Sequence, residues 1–318
     1  MTPDIPGDGT APGISEVSPS TVARPAAAPR PELDDDCWFL AGPTAAGKTS
    51  LGIRMAERLG AEIVSVDSMA VYRGLDIGTA KPGLDERGQV PHHLVDVVPP
   101  SEAYNVARWL AAVTTAITGI RSRGRQILFV GGTPLYLRAL RDGLADVSGE
   151  VPEVRERLRA EVDAIGPAAL HHRLAGVDPE AARRIHRNDA RRIVRALEVA
   201  ACGGPLSAAF APAPHPVFGR QMMIVDLPRE LLRDRIDRRV EGMFAAGLID
   251  ETRRAEEGPG GIGPTASQAA GYTEALAVLA GTLSLSDAIR LTQARTRQLA
   301  KRQLTWLRSF PGAVWIAA

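Results

Sequence analysis

Short blocks of consecutive apolar residues alternate, in the first part of the chain, with longer stretches whose apolar positions recur at helical spacing. The blocks are 37–41 (CWFLA), 62–66 (EIVSV), 93–98 (HLVDVV), 126–131 (QILFVG), 221–227 (QMMIVDL) and 313–317 (AVWIA). Segments 48–59 and 105–123, and later 229–242, carry the helical pattern. A block apolar on both faces, followed by an amphipathic stretch, predicts parallel strands joined by crossover helices. The alternation stops near residue 143. Residues 151–201 are rich in Arg and Ala and read as helix, and a Gly/Pro/Ala stretch at 203–219 precedes the next block. The pattern predicts an α/β core begun by 37–143, interrupted by a helical insertion at 144–219, and completed by 220–318.

Residues 1–31 lack this pattern. Pro, Ala, Gly, Ser and Thr dominate them, and such a segment cannot bury enough apolar surface to offset the entropy of ordering. The segment 1–36 also carries a net charge of −5, so it reads as a disordered acidic leader. Setting it aside changes the meaning of the overall charge of +1, because the remainder is then +6. Residues 291–308 alone hold Arg295, Arg297, Lys301, Arg302 and Arg308 with no acid. On a helix, Arg297, Lys301 and Arg308 fall within about 40° of one another. With Trp306 nearby, the segment predicts a basic stripe suited to an RNA backbone and to base stacking.

Composition excludes several classes. The two cysteines, Cys37 and Cys202, cannot build a disulfide framework, and the six histidines lack metal-ligand spacing. No apolar run nears the roughly 20 residues of a membrane span, and the N-terminus lacks a signal-peptide layout. A cytoplasmic, monomeric protein without membrane attachment is expected. Of the 38 basic residues only Lys48, Lys81 and Lys301 are lysine. In a chain so rich in arginine, a retained ammonium marks places where a compact point charge is needed.

Gly42, Pro43, Thr44, Ala45, Ala46, Gly47, Lys48 and Thr49 match the phosphate-loop pattern G-x-x-x-x-G-K-[ST], with an expected strand before and a helix after. Backbone amides and a helix N-terminus would wrap phosphate oxygens, Lys48 would add a charge, and Thr49 a hydroxyl for Mg²⁺. The fold class is therefore a P-loop NTPase-like parallel sheet with a helical insertion. A hydrolase usually places an acid after a later strand to hold the metal. Here that strand ends in Gly131-Gly132-Thr133, and the acid follows the second strand as Asp67. From its position alone, Asp67 is open to three roles: a Mg²⁺ ligand, a helix cap, or a general base. His92, His93 and His186 read as structural histidines.

The strings SVDSMAVYRGLDIGTAKP (65–82), PHHLVD (91–96), VGGTPLYLRAL (130–140), NDARRIVRALE (188–198), AAGYTEAL (269–276) and TRQLAKRQLTWLR (296–308) follow the phosphate loop in order. Together they resemble the tRNA dimethylallyltransferases, also called tRNA isopentenyltransferases, over about 37–316. Ala269-Ala270 departs from the bulkier aliphatic common before Gly-Tyr in that family. The resemblance implies transfer of a dimethylallyl group from dimethylallyl diphosphate to the exocyclic amine of the adenosine 3′-adjacent to the anticodon in tRNA. The phosphate loop would then grip the leaving pyrophosphate with Mg²⁺, and Asp67 would act as general base. Thr133 would hydrogen-bond near the reacting centre, and Arg239, or its neighbour Arg235, would hold the diphosphate. By the same resemblance Asp67, Ser68, Met69, Ala70, Thr133, Arg155, Arg191, Arg192 and Arg195 touch tRNA, as do Arg297, Lys301, Arg302 and Arg308. Rival readings are a small P-loop kinase or NTPase using ATP, a free-nucleotide (adenylate) isopentenyltransferase, and a non-catalytic RNA-binding protein.

Overall fold

The computed structural model describes residues 31–143, 152–202, 206 and 221–317. The expected leader up to residue 30, and nearly all of the 203–219 stretch, lie outside the described residues. In chain order the elements are β1 (Cys37–Ala41), α1 (Lys48–Leu59), β2 (Ala61–Val66), α2 (Leu84–Gln89), β3 (His92–His93), α3 (Val106–Ser122), β4 (Gln126–Gly131) and α4 (Pro134–Asp142). Then follow α5 (Pro152–Ile165), α6 (Pro167–Val177), α7 (Pro179–Arg184) and α8 (Ala190–Cys202). The chain ends with β5 (Met222–Asp226), α9 (Arg229–Ala245), α10 (Leu248–Glu257), α11 (Tyr272–Leu279), α12 (Leu285–Leu307) and β6 (Val314–Ala317).

The described residues of 146–209 form one compact unit, and those of 28–145 with 210–318 form another. In the larger unit the six strands make one sheet in the order β3-β2-β4-β1-β5-β6, parallel throughout. The central strands are buried on both faces, which is why they read as unbroken apolar blocks. Phe39 of β1 stacks on Phe129 of β4, with ring centroids 5.0 Å apart. Ala41 and Val66 both pair with Gly131, so β1, β2 and β4 end level and their following loops emerge together. Helix α3 is capped by Asn105, whose side chain accepts from the Arg108 amide, and buries Trp109, Leu110, Val113, Ile117 and Ile120. Helix α12 buries Ala288, Thr292, Thr296, Ala300, Gln303 and Leu307, one inner stripe along its 23 residues.

The smaller unit has its own core, built by Leu158, Leu170, Leu174, Ile185, Ile193, Val194 and Leu197 with three alanines. Helix α7 begins with Pro179 behind Asp178, whose carboxylate accepts from the Ala181 amide.

Two expectations are corrected. Of the predicted 93–98 strand only His93 pairs with β2, together with His92 just before it. Leu94 and Asp96 are left-handed, at φ 62° and 57°, and a ladder cannot pass through such residues. Asp96 is drawn out of line by Lys81 and Arg87, both of which pair with its carboxylate. The leader boundary also moves. Asp34 and Asp36 both pair with Arg121 at the end of α3, and Leu33 packs on the core, so 31–36 belong to the body of the fold.

Candidate active site

The loops leaving β1, β2 and β4 meet at one cavity of about 520 Å³. The phosphate loop forms one wall through Thr44, Ala45, Ala46, Gly47, Lys48 and Thr49. Gly47 is left-handed (φ 86°) and turns the chain into α1, while Gly42 and Pro43 lie buried behind the wall. Lys48 is only half-buried, yet protein packs densely around its stem. Burial pushes its ammonium down to about 8, with Arg239 adding to that and Asp67 opposing it. Its Nζ donates to the Pro43 carbonyl at 2.6 Å.

Asp67, just past β2, lines the same cavity. Its Oδ1 accepts from the amides of Met69 (2.8 Å) and Ala70 (3.3 Å). These amides belong to a turn, and no helix starts there, so the helix-cap reading does not apply. Oδ2 makes no hydrogen bond among the described residues. The Ser68 amide donates to Thr133 Oγ1 at 3.1 Å, which ties the Asp67 turn to the loop after β4. That loop comes close because it begins with two glycines. A Cβ on Gly131 would lie 2.1 Å from the Val66 carbonyl oxygen, and one on Gly132 2.6 Å from that of Gly42.

From α9, Arg235, Arg238 and Arg239 reach the cavity. Arg239 Nη1 donates to Thr44 Oγ1 at 3.3 Å, and burial lowers its pKa. The cavity lining thus sets five cations, Lys48, Lys81, Arg235, Arg238 and Arg239, against the single carboxylate of Asp67, an arrangement suited to a polyanion. No group of three or more His, Cys, Asp or Glu side chains able to cage a metal occurs among the described residues. The Thr49 hydroxyl and the Asp67 carboxylate both line the cavity, and oxygen donors of this kind would suit a hard cation such as Mg²⁺.

Supports behind the cavity explain other strings. Lys81, its side chain 2% exposed, donates to the Tyr72 carbonyl at 2.8 Å and pairs with Asp76 at 2.6 Å and with Asp96. Three acceptors meet the three donors of an ammonium, which is why a lysine suits this place. Buried Glu251 accepts from the Asp76 and Ile77 amides and from Tyr272 Oη (2.6 Å), so AAGYTEAL braces DIGTAKP. His93 and Arg123 converge on Glu62, at 2.6 and 2.7 Å. His92 Nδ1 lies 2.7 Å from the Val90 carbonyl, and the residue also lines the cavity.

A family model described as IPP transferase matches residues 70–310. The chain belongs to the IPP transferase family. It is 48% identical to a tRNA dimethylallyltransferase of Anaeromyxobacter dehalogenans, over 88% of this chain and 94% of that protein. It is 45% identical to one of Myxococcus xanthus, over 87% and 91%. Among solved structures it resembles the tRNA isopentenylpyrophosphate transferase of Bacillus halodurans (40% identity, TM-score 0.64, 89% of this chain and 90% of that one). It also resembles a eukaryotic dimethylallyltransferase captured acting on tRNA (28% identity, TM-score 0.71, 88% and 73%).

In this IPP transferase the expected RNA-facing cations divide into two groups. Lys301, Arg302 and Arg308 are exposed, with no ion pair among the described residues. Arg297 is different: it pairs with Asp237 of α9, so the acid missing from its own segment comes from a neighbouring helix. Arg295 likewise meets Glu274 of α11. Trp306 is half-buried, with the Arg138 guanidinium 5.7 Å from its ring centroid. In the smaller unit Arg191 and Arg192 are exposed, Arg192 lying 3.5 Å from Asp189. Arg155 and Arg195 converge on Glu198, which is fully buried. Gln303, Arg238 and Glu251 had not been singled out from the sequence. A glutamine in the small and apolar inner stripe of α12 was the available signal for the first.

Proposed function

We propose that this protein transfers the dimethylallyl group of dimethylallyl diphosphate to the exocyclic amine of the adenosine 3′-adjacent to the anticodon in tRNA, releasing pyrophosphate. The carrying observation is the cavity itself, where a phosphate loop faces a carboxylate at the end of β2 and no acid stands at the end of β4. That arrangement suits the departure of a pyrophosphate better than hydrolysis of a nucleoside triphosphate.

The amides of 44–49, Lys48 and Arg239, with Arg235 beside them, would hold the diphosphate. Their fixed positive charge is aimed at the oxygen on which negative charge develops. Mg²⁺ on Thr49 would neutralise part of that charge when bound. The allylic C–O bond breaks with its electron pair going to pyrophosphate, and the amine nitrogen bonds to the same carbon. The nitrogen then carries a surplus proton, which Asp67 Oδ2 accepts. Thr133 Oγ1 and the Ser68–Ala70 backbone would orient the base. Reaching the amine requires the adenine to leave its stack, at a cost of a few kcal/mol. Lys301, Arg302 and Arg308, and Arg191 and Arg192 in the smaller unit, would meet tRNA phosphates. We place the enzyme in the cytoplasm as a monomer; among the described residues no helix is long and apolar enough to cross a membrane.

The test is nucleoside analysis of tRNA after reaction with labelled dimethylallyl diphosphate, with and without Mg²⁺, beside a parallel reaction with labelled ATP. An adenosine carrying a dimethylallyl group on its exocyclic nitrogen, next to the anticodon, is expected. Phosphate transfer without prenyl transfer would overturn the reading in favour of a kinase. Equal competition by free AMP would remove the tRNA assignment.

A further inference from the structure

Gln303 is a buried amide on the inner stripe of α12, 7% exposed. Its Oε1 accepts from the Thr44 amide at 2.9 Å, and its Nε2 donates to the Gly132 carbonyl at 2.8 Å. One side chain therefore joins the loop after β1 to the loop after β4. The fit is close on both sides. A Cβ on Gly132 would lie 2.8 Å from Nε2, so that glycine is what admits the amide.

Each end of the bridge leads to a different part of the chemistry. Thr44 is also held by Arg239, and it opens the cavity-lining stretch of the phosphate loop. Gly132 precedes Thr133, whose hydroxyl accepts from Ser68, next to Asp67. A shift at Gly132 therefore moves Thr133 and the Asp67 turn relative to the phosphate loop. Only a side chain with one donor and one acceptor at this reach satisfies both loops, and an amide does so at any working pH.

We propose that Gln303 is a positioning residue that sets the separation between the diphosphate site and the Asp67–Thr133 side, where the acceptor amine is received. It acts through the two backbone atoms it joins and touches neither the leaving oxygen nor the amine. The inference rests on the prenyl-transfer reading above.

The test compares Gln303→Met and Gln303→Glu with the wild type, with thermal melting to establish that each is folded. Methionine keeps the volume and removes both bonds. Its turnover is expected to fall about 100-fold, the effect of misplacing reacting groups by an ångström. The tRNA Kd from filter binding is expected to stay within about threefold. Glutamate keeps the acceptor for Thr44 but turns a lone pair on the Gly132 carbonyl when ionised. Once protonated it regains a donor and restores both bonds. The ratio of Gln303→Glu to wild-type turnover should therefore rise as pH falls through the pKa of the introduced carboxyl, which burial raises and the neighbouring cations lower. Lys48, Lys81, Arg235, Arg238, Arg239, Asp67 and His92 line the cavity with Gln303 in both proteins, and their charges act on the introduced carboxyl. Gln303→Met turnover within about threefold of the wild type overturns the bridge. So does a weakened tRNA Kd with unchanged turnover at saturating tRNA, which would make Gln303 a tRNA contact. If the wild type itself transfers no dimethylallyl group to tRNA, the underlying reading has failed; wild-type transfer that Gln303→Met leaves intact sinks the bridge alone.

Discussion

Asp67 commits one carboxylate oxygen to two backbone amides and leaves the other directed at no protein donor among the described residues. That division makes asparagine a clean probe, because its carbonyl can keep the Met69 and Ala70 bonds while the basic oxygen is lost. Asp67→Asn is expected to lower kcat about 10²–10⁴-fold, the range for removing a general base. KM for both substrates and the melting temperature should hardly move. A variant that lost binding and kept its turnover would give Asp67 a binding role only. Asp67 and the phosphate loop were legible in the sequence because local spacing determines each: one follows an apolar strand block, the other fills an eight-residue pattern. Gln303 was not, since its partners Thr44 and Gly132 stand 259 and 171 positions away. Lys81 lies between these cases. Its scarcity marked it, but only the fold brings Tyr72, Asp76 and Asp96 around its ammonium.

Among the elements, α12 and β3 show where a one-dimensional pattern misleads. The basic stretch of α12 contains no acid, but its two flanks face α9 and α11, which supply Asp237 and Glu274. Lys301→Ala and Arg302→Ala should each weaken tRNA binding and reduce the slope of log K against log salt by about 0.7–0.9 per lost phosphate contact. Arg297→Ala should leave the slope unchanged and lower the melting temperature, because Asp237 loses its closest cation. Equal slope changes for all three would mean that the ion pair opens to tRNA. At β3 the block HLVDVV has strand composition throughout, yet only its first histidine joins His92 in the ladder, because the fold recruits Asp96 to hold Lys81 and Arg87. What β3 lacks in length is partly offset by Glu62, which ties β2 to His93 and to Arg123 beyond α3. The Arg123 hydrogen bonds are the main cause holding the Glu62 carboxyl down to about 2, below its ordinary value of 4.5. A depressed folded-state pKa contributes stability that is fully present above the unfolded value and lost as pH falls through the folded one. Urea unfolding should therefore find the wild type more stable than Glu62→Gln near neutrality, with the gap closing from about pH 4.5 to about pH 2. A gap independent of pH would show that ionisation of Glu62 contributes nothing.

Among the described residues the two units carry cores of unequal strength. In the larger unit a parallel sheet buries paired aromatics such as Phe39 and Phe129, together with Trp109, Tyr72 and Tyr272. The smaller unit relies on leucine, isoleucine, valine and three alanines, with no aromatic in its buried cluster. It also buries the carboxylate of Glu198, which Arg155 and Arg195 neutralise from partly exposed positions. A core of small side chains around a buried ion pair gains less from burial, and small units bury a smaller share of their surface. Local unfolding should follow that inequality. Native-state hydrogen exchange in increasing urea is expected to find the amides of α5 and α8 opening at a lower free energy than those of β1 and β4, as a separate cooperative step. Ligands bound only by the folded state raise the opening free energy of what they hold. An anticodon stem-loop should therefore slow exchange in α8, where Arg191 and Arg192 are exposed, whereas dimethylallyl diphosphate alone should slow it only around the 42–49 loop. One shared opening free energy for α8 and β4 would show that the two cores unfold together. Protection of α8 by dimethylallyl diphosphate alone would show that the diphosphate site and the helical unit are energetically coupled before tRNA arrives.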